Sequence, residues 1–150
     1  MIRSRSFTLT SLMALLLAGG LASAAGGPED AAQAAAESWL RLVDGGDYSA
    51  SWDHAAAALK GAVKQADWAE TLKGVRAPLG WLASRKLKSR DYTEKPPTTR
   101  TIGGSVYTVG AGKYVVIQYD AAFANRAQAV ETVIATGSDA GWRVSGYSIR

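Results

Sequence analysis

Cysteine is absent from the 150 residues, and histidine occurs once, as His54. The chain therefore forms no disulfide, offers no thiolate nucleophile and carries no lipid-modified cysteine. One histidine also falls short of the several imidazole or thiolate ligands that a zinc site uses, so neither a metal nor any other cofactor is expected. No Gly-x-Ser-x-Gly elbow occurs. Gly110-Ala-Gly112 precedes an extended run rather than a helix and lacks the final glycine of a dinucleotide-binding turn. A strong charge of one sign is missing as well. The formal charge is +4 and falls to +2 without Arg3 and Arg5, too small a balance for a surface that neutralises many phosphates, so nucleic acid is excluded as a partner.

A long membrane-spanning run is also lacking. The apolar segment from Phe7 to Leu21 is interrupted by Thr8, Thr10, Ser11 and Gly19-Gly20 and is shorter than the about 20 residues that a span requires. With Arg3 and Arg5 before it and Ala22-Ser23-Ala24 after it, the segment reads as a signal peptide over residues 1–24. Residues 25–150 then form a single domain, periplasmic or secreted, with no membrane span after cleavage. Without a disulfide, that domain depends on its core.

What is present first is helical periodicity. Glu29 and Asp30 suit a helix start, and Ala32, Ala35, Trp39, Leu42 and Val43 recur at spacings of three and four until Gly45-Gly46. Asp47 or Ser49 can cap a second helix marked by Tyr48, Trp52, Ala55, Leu59 and Val63. Trp68, Leu72, Val75 and Leu79 mark a third, which stops near Ala77 because Pro78 disfavours a helical residue before it. Beyond Trp81 the pattern changes to alternation. Trp81 to Thr93 reads as a strand with Arg85, Leu87, Ser89 and Asp91 on one side and Lys86, Lys88, Arg90 and Tyr92 on the other. Its basic run Arg85-Lys-Leu-Lys-Ser-Arg90 reads as a solvated edge that discourages sheet aggregation, or else as a surface for an anionic partner such as a lipid headgroup or a glycan. Pro96-Pro97 ends the strand. The glycine-rich stretch Thr101 to Gly112 is compatible with a hairpin and with a loop.

Three further runs, Lys113 to Phe123, Ala129 to Thr136 and Gly141 to Arg150, are rich in β-branched and aromatic residues and predict an antiparallel meander. Gly137 and Gly141 bracket the last hairpin. In the first run Val115, Ile117 and Tyr119 form the more apolar side and are assigned to the face that the helices cover. Tyr114, Gln118 and Glu131 are placed nearer solvent, within reach of a partner. A carboxylate in mid-strand must be solvated, paired or functional, and Arg143 on the neighbouring strand is the expected partner of Glu131. Helices first and strands afterwards give an α+β class, with N-terminal helices packed on a curved antiparallel sheet of about four strands.

Trp39-Leu40 with Asp44 and Tyr48, Trp52, Trp68, Arg76-Ala-Pro-Leu-Gly80, Arg85, the run Tyr114 to Phe123, Glu131-Thr132 and the closing Gly141-Trp-Arg-Val-Ser-Gly-Tyr147 together resemble the domain-of-unknown-function 4019 family of bacterial secreted proteins. The resemblance spans essentially all of residues 25–150. It implies a cystatin-like or nuclear-transport-factor-like (NTF2-like) roll, and it brings no activity and no catalytic residues.

Three functional classes remain. The first is a non-catalytic binding or protein-interaction domain, whose partner is a protein or a small-molecule ligand and whose contact residues are Tyr114, Gln118, Tyr119, Glu131 and Tyr147. The second is an isomerase-like or dehydratase-like enzyme with a carboxylate base in an apolar pocket, for which Asp53, His54, Asp120 and Tyr119 are the candidates. Asp53 and His54 diverge by about 100° on a helix, so their adjacency makes no catalytic pair. The third is a structural accessory of an envelope assembly. The tryptophans at 39, 52, 68, 81 and 142 serve either as core or as the lining of a pocket between helices and sheet. Protein isolated from the envelope fraction should begin at Ala25 by mass spectrometry, and an intact Met1 there would replace the signal peptide with an anchor.

Overall fold

A computed structural model describes residues 26–95, 99–100, 106–107 and 111–150. Four α-helices come first: α1 (Pro28–Asp44), α2 (Tyr48–Asp53), α3 (Ala57–Ala62) and α4 (Gln65–Arg76), the last continuing into a 3-10 turn at Ala77–Leu79. The strands follow as β1 (Leu82–Thr93), β2 (Thr99–Arg100), β3 (Val106–Tyr107), β4 (Lys113–Phe123), β5 (Arg126–Ser138) and β6 (Gly141–Ile149). β1, β4, β5 and β6 form one antiparallel sheet in that order, and β2 pairs with β3. Helices followed by a four-stranded antiparallel sheet make the α+β class. The remainder of the glycine-rich stretch between β1 and β4 lies outside the described residues. No helix among them is long and apolar enough to cross a membrane.

Local chemistry accounts for the helix ends. Pro28 opens α1 with its fixed φ, and the Asp30 carboxylate accepts the Gly27 N–H at 3.1 Å. Asp47 caps α2 by accepting the Ala50 N–H at 3.1 Å. The continuous second helix expected from Tyr48 to Val63 is instead two short helices. At the break Ala56 is extended, and its N–H donates to the Val144 carbonyl at 2.7 Å, so a tertiary bond to the edge of β6 displaces a helical one.

The helices cover one face of the sheet. Val115, Ile117 and Tyr119 of β4, Val133 and Ala135 of β5, and Val144 and Tyr147 of β6 pack there with Ala32, Ala36, Trp39, Leu40, Val43, Leu59, Trp68 and Leu72. This is the face assigned to Val115, Ile117 and Tyr119 from their alternation. Tyr114 and Glu131, expected near solvent, are both buried. Glu131 stands opposite Tyr119 in the ladder and so shares the helix-covered face. The face expected for the second half of β1 is also corrected. Lys88 is an extra residue in the β1–β4 register, and after this bulge Arg90 and Tyr92 fall on the same face as Arg85 and Leu87.

Two tryptophans form the centre of the core. Trp39 and Trp68 lie with ring centroids 6.2 Å apart, and Tyr147 meets Trp39 edge-on at 5.3 Å. Both indole N–H groups are satisfied at Ser51, Trp39 by its carbonyl at 2.7 Å and Trp68 by its hydroxyl at 3.0 Å. Trp52 and Trp142 pack at the margin, and Trp81 is 70% exposed. The Trp142 indole lies over Gly137, where an added Cβ would come within 3.1 Å of the ring, and only Gly141 of the two hairpin glycines has a positive φ. Trp68→Ala should therefore cost about 3 to 5 kcal/mol and Trp81→Ala less than about 0.5 kcal/mol in chemical denaturation. Equal losses at the two positions would contradict this core.

Candidate functional site

Five polar side chains from all parts of the chain meet under the helices. Asp44 ends α1 where Gly45-Gly46 turns the chain, Arg76 ends α4, Arg85 lies early in β1, Glu131 is in the middle of β5, and Tyr147 is near the end of β6. Glu131 is 0% exposed and Arg76 4%. The Arg85 fork holds both carboxylates: Nε donates to Glu131 Oε2 at 2.6 Å, Nη1 to Asp44 Oδ2 at 2.7 Å, and Nη2 to Asp44 Oδ1 at 2.9 Å and Glu131 Oε1 at 3.1 Å. Arg76 adds Nη2 to Asp44 Oδ1 at 2.7 Å and Nη1 to Glu131 Oε1 at 3.1 Å. The Tyr147 hydroxyl donates to Glu131 Oε1 at 2.5 Å and accepts from Arg76 Nη1 at 3.1 Å. The Arg76 guanidinium also lies 4.7 Å from the centroid of the Phe123 ring.

Two cations and two anions alternate in this cluster, so its net charge is zero and every carboxylate oxygen has a donor. Burial by itself would lower the Arg85 pKa, but the hydrogen bonds to Asp44 and Glu131 overcome it and leave the guanidinium above its ordinary range. The same balance, against Tyr147, Asp44 and Glu131, raises Arg76. Burial and the neighbouring Glu131 charge push Tyr147 well above 10. The Glu131 end of the cluster is held shut, because a ligand inserted between Glu131, Arg76 and Tyr147 would leave a buried charge uncompensated, while Asp44 and Arg85 reach toward solvent.

The residues put forward for binding thus separate. Tyr147 and Glu131 are members of the closed network. Glu131 pairs with Arg76 and Arg85, not with Arg143, which lies opposite Thr136 instead. Tyr119 is buried beside Arg85, whose guanidinium is 6.0 Å from its ring, and burial together with Glu37 pushes its phenol to about 12. That hydroxyl finds no hydrogen-bond partner among the described residues. Tyr114 and Gln118 belong to the opposite, outer face, where Gln118 is half-buried. Of the residues put forward for catalysis, Asp53, His54 and Asp120 are exposed, the first two adjacent at the end of α2 and Asp120 on β4. Among the described residues no group of His, Cys, Asp or Glu could hold a metal ion.

Hollows open on the outside of the described residues. One of about 250 Å³ borders the network between Asp44, Arg76, Tyr48 and Trp81. Another of about 430 Å³ runs between α1 and β6 and is walled by Trp39, Leu42, Trp142 and Val144, with His54 and Ser38 beside them. A further one, about 560 Å³, is a basic hollow where β1, β4 and β5 meet Arg150.

A family model described as "Protein of unknown function (DUF4019)" matches residues 35–147. The chain belongs to this family. No curated protein and no solved structure matches it. In this DUF4019 chain Asp44, Arg76, Arg85, Glu131 and Tyr147, which stand far apart in the sequence pattern, are the five members of the network, with Glu131, Arg76 and Tyr147 buried and Asp44 at its outer end. The sequence does not mark Asp44, Arg76 and Arg85 as site residues because a charged residue at a helix end or in a charged strand reads as solvated. The mid-strand position of Glu131 was the only local signal.

Glu131→Ala would remove the fully buried carboxylate and leave the more exposed Asp44 as the shared counter-charge of Arg76 and Arg85, so we expect a loss of about 3 to 5 kcal/mol in urea denaturation. A loss below about 1 kcal/mol would mean that this network does not hold the helices to the sheet.

Proposed function

We propose that this DUF4019 chain is a non-catalytic binding domain that works in the periplasm or outside the cell, carried there by residues 1–24. The observation that carries the reading is the closure of the interior polar network. Its carboxylates, guanidinium groups and Tyr147 phenol are engaged with one another, so none stands ready to take a proton from a substrate. Three of the four residues considered for an enzyme lie on the surface, and the fourth, Tyr119, holds its proton far above neutral pH. Contact with a partner then falls to the outer hollows, which are concave and furnished with both apolar and charged groups.

Native mass spectrometry of the protein purified from the envelope fraction tests this reading. A bound ligand or protein partner, released chemically unchanged after prolonged incubation, is the expected result. Conversion of a bound compound by the wild-type protein, lost in Tyr119→Phe, would replace the binding domain with an enzyme.

A further inference from the structure

We propose that the basic hollow on the outer face of the sheet binds a hydroxyl-rich ligand through a phosphate or carboxylate group. This rests on the reading as a binding domain and gives it a site and a ligand class. The placement follows from the strand register. Lys86 stands opposite Asp120, Asp120 opposite Val130, and Val130 exchanges both backbone hydrogen bonds with Arg150, at 2.8 and 2.9 Å. Directly opposed residues in antiparallel ladders share a face. These four side chains therefore form one row across the sheet, on the face away from the helices, since the adjacent Tyr119 and Glu131 point inward.

The side-chain charges around the hollow do not cancel. Lys86, Lys88 and Arg150 line it with Asp120 as the single acidic side chain. Lys88 is bound to Asp120 at 3.0 Å. The Lys86 ammonium and the Arg150 guanidinium have no side-chain partner among the described residues. This is the reverse of the interior, where each guanidinium is matched to carboxylates. Two unmatched cations beside a concavity favour an anionic group, and Arg150 presents the fork geometry that suits phosphate or carboxylate. The basic run of β1 is thus divided by the bulge at Lys88: Arg85 and Arg90 go to the helix side, where Arg90 pairs with Asp30, and Lys86 and Lys88 go to the outer face.

The rest of the lining defines the remainder of the ligand. Ser84 and Gln128 supply a hydroxyl and an amide, Asp120 accepts hydrogen bonds, and Ala122 and Val130 give small apolar surfaces. A volume of about 560 Å³ exceeds what a bare oxyanion needs and accommodates a sugar ring. Among the described residues no aromatic side chain lines the hollow, so a nucleobase finds no stacking partner there. An acidic saccharide fits, either free in solution or as the headgroup of a lipid.

Isothermal titration at low salt, with the purified protein, distinguishes these sources. The probes are glucose 1-phosphate, glucuronate, neutral glucose, and vesicles of phosphatidylglycerol or phosphatidylcholine. Binding of glucose 1-phosphate or glucuronate, with glucose at least about tenfold weaker, supports the site and a soluble ligand. Binding only to phosphatidylglycerol vesicles supports the site and a lipid headgroup. The double variant Lys86→Glu, Arg150→Glu changes two exposed side chains and should keep its circular dichroism spectrum while losing at least about tenfold in affinity. Equal affinity for glucose and glucose 1-phosphate, unchanged affinity in the double variant, or no binding of any anionic probe at millimolar concentration would overturn the proposal. A ligand recovered unchanged from the envelope that binds the double variant as well as the wild type would overturn this site while leaving the binding-domain reading in place.

Discussion

A carboxylate excluded from water in the middle of a strand is the constraint on which this molecule depends. Glu131 has no solvent to stabilise its charge, so cations must reach it, and no neighbouring residue on its own strand supplies one. Arg85 reaches it from the adjoining half of the sheet and Arg76 from the end of the last helix, while Asp44, at the end of the first helix, balances the second positive charge. Each of these elements is thereby held at a set distance from β5. Hydrophobic packing of Trp39, Trp68 and their neighbours drives the layers together, but it is tolerant of small slides. Directional hydrogen bonds from two guanidinium forks are less tolerant, and they fix how the helices sit on the sheet.

Much of this fold was legible in the residues. The periodicity of Ala32, Trp39 and Val43 located α1, Pro78 and Gly80 marked the end of α4, and the alternation of Val115, Ile117 and Tyr119 identified the covered face. The failures share a cause. Alternation predicts faces only while the register is unbroken, and bulges at Lys88 and Ser145 break it. The break between α2 and α3 was hidden because it serves a bond from Ala56 to a strand almost ninety positions later. Glu131 stands out in mid-strand, but the strand pattern points to Arg143 as its cation. The true partners come from distant elements and carry no local mark.

The same network bears on what the chain does. In many small α+β domains the space between helices and sheet is where ligands enter, and there the polar groups must be left incompletely matched. Here the matching is complete within the cluster, and the interior around it is filled by indole rings and the Tyr147 ring. Under the proposed binding role, the inside would hold shape and the outer face and the helix-sheet margin would meet other molecules.

The bulge at Ser145 has an arithmetical consequence. Val144 and Tyr147 lie three positions apart, an odd interval that would put them on opposite faces of a regular strand, yet both face the helices. Ser145 absorbs the extra step, accepting the Thr136 hydroxyl at 2.6 Å and donating to the Ile134 carbonyl at 3.3 Å. The spacing Val-x-Gly-Tyr in the closing motif is therefore a count that already includes one irregular residue. With Ser145 kept but the strand made regular, the phenol that completes the Glu131 shell would turn outward, whereas loss of Ser145 itself would leave Val144 and Tyr147 two positions apart and still on one face, so residue count and bulge set the direction of this phenol together.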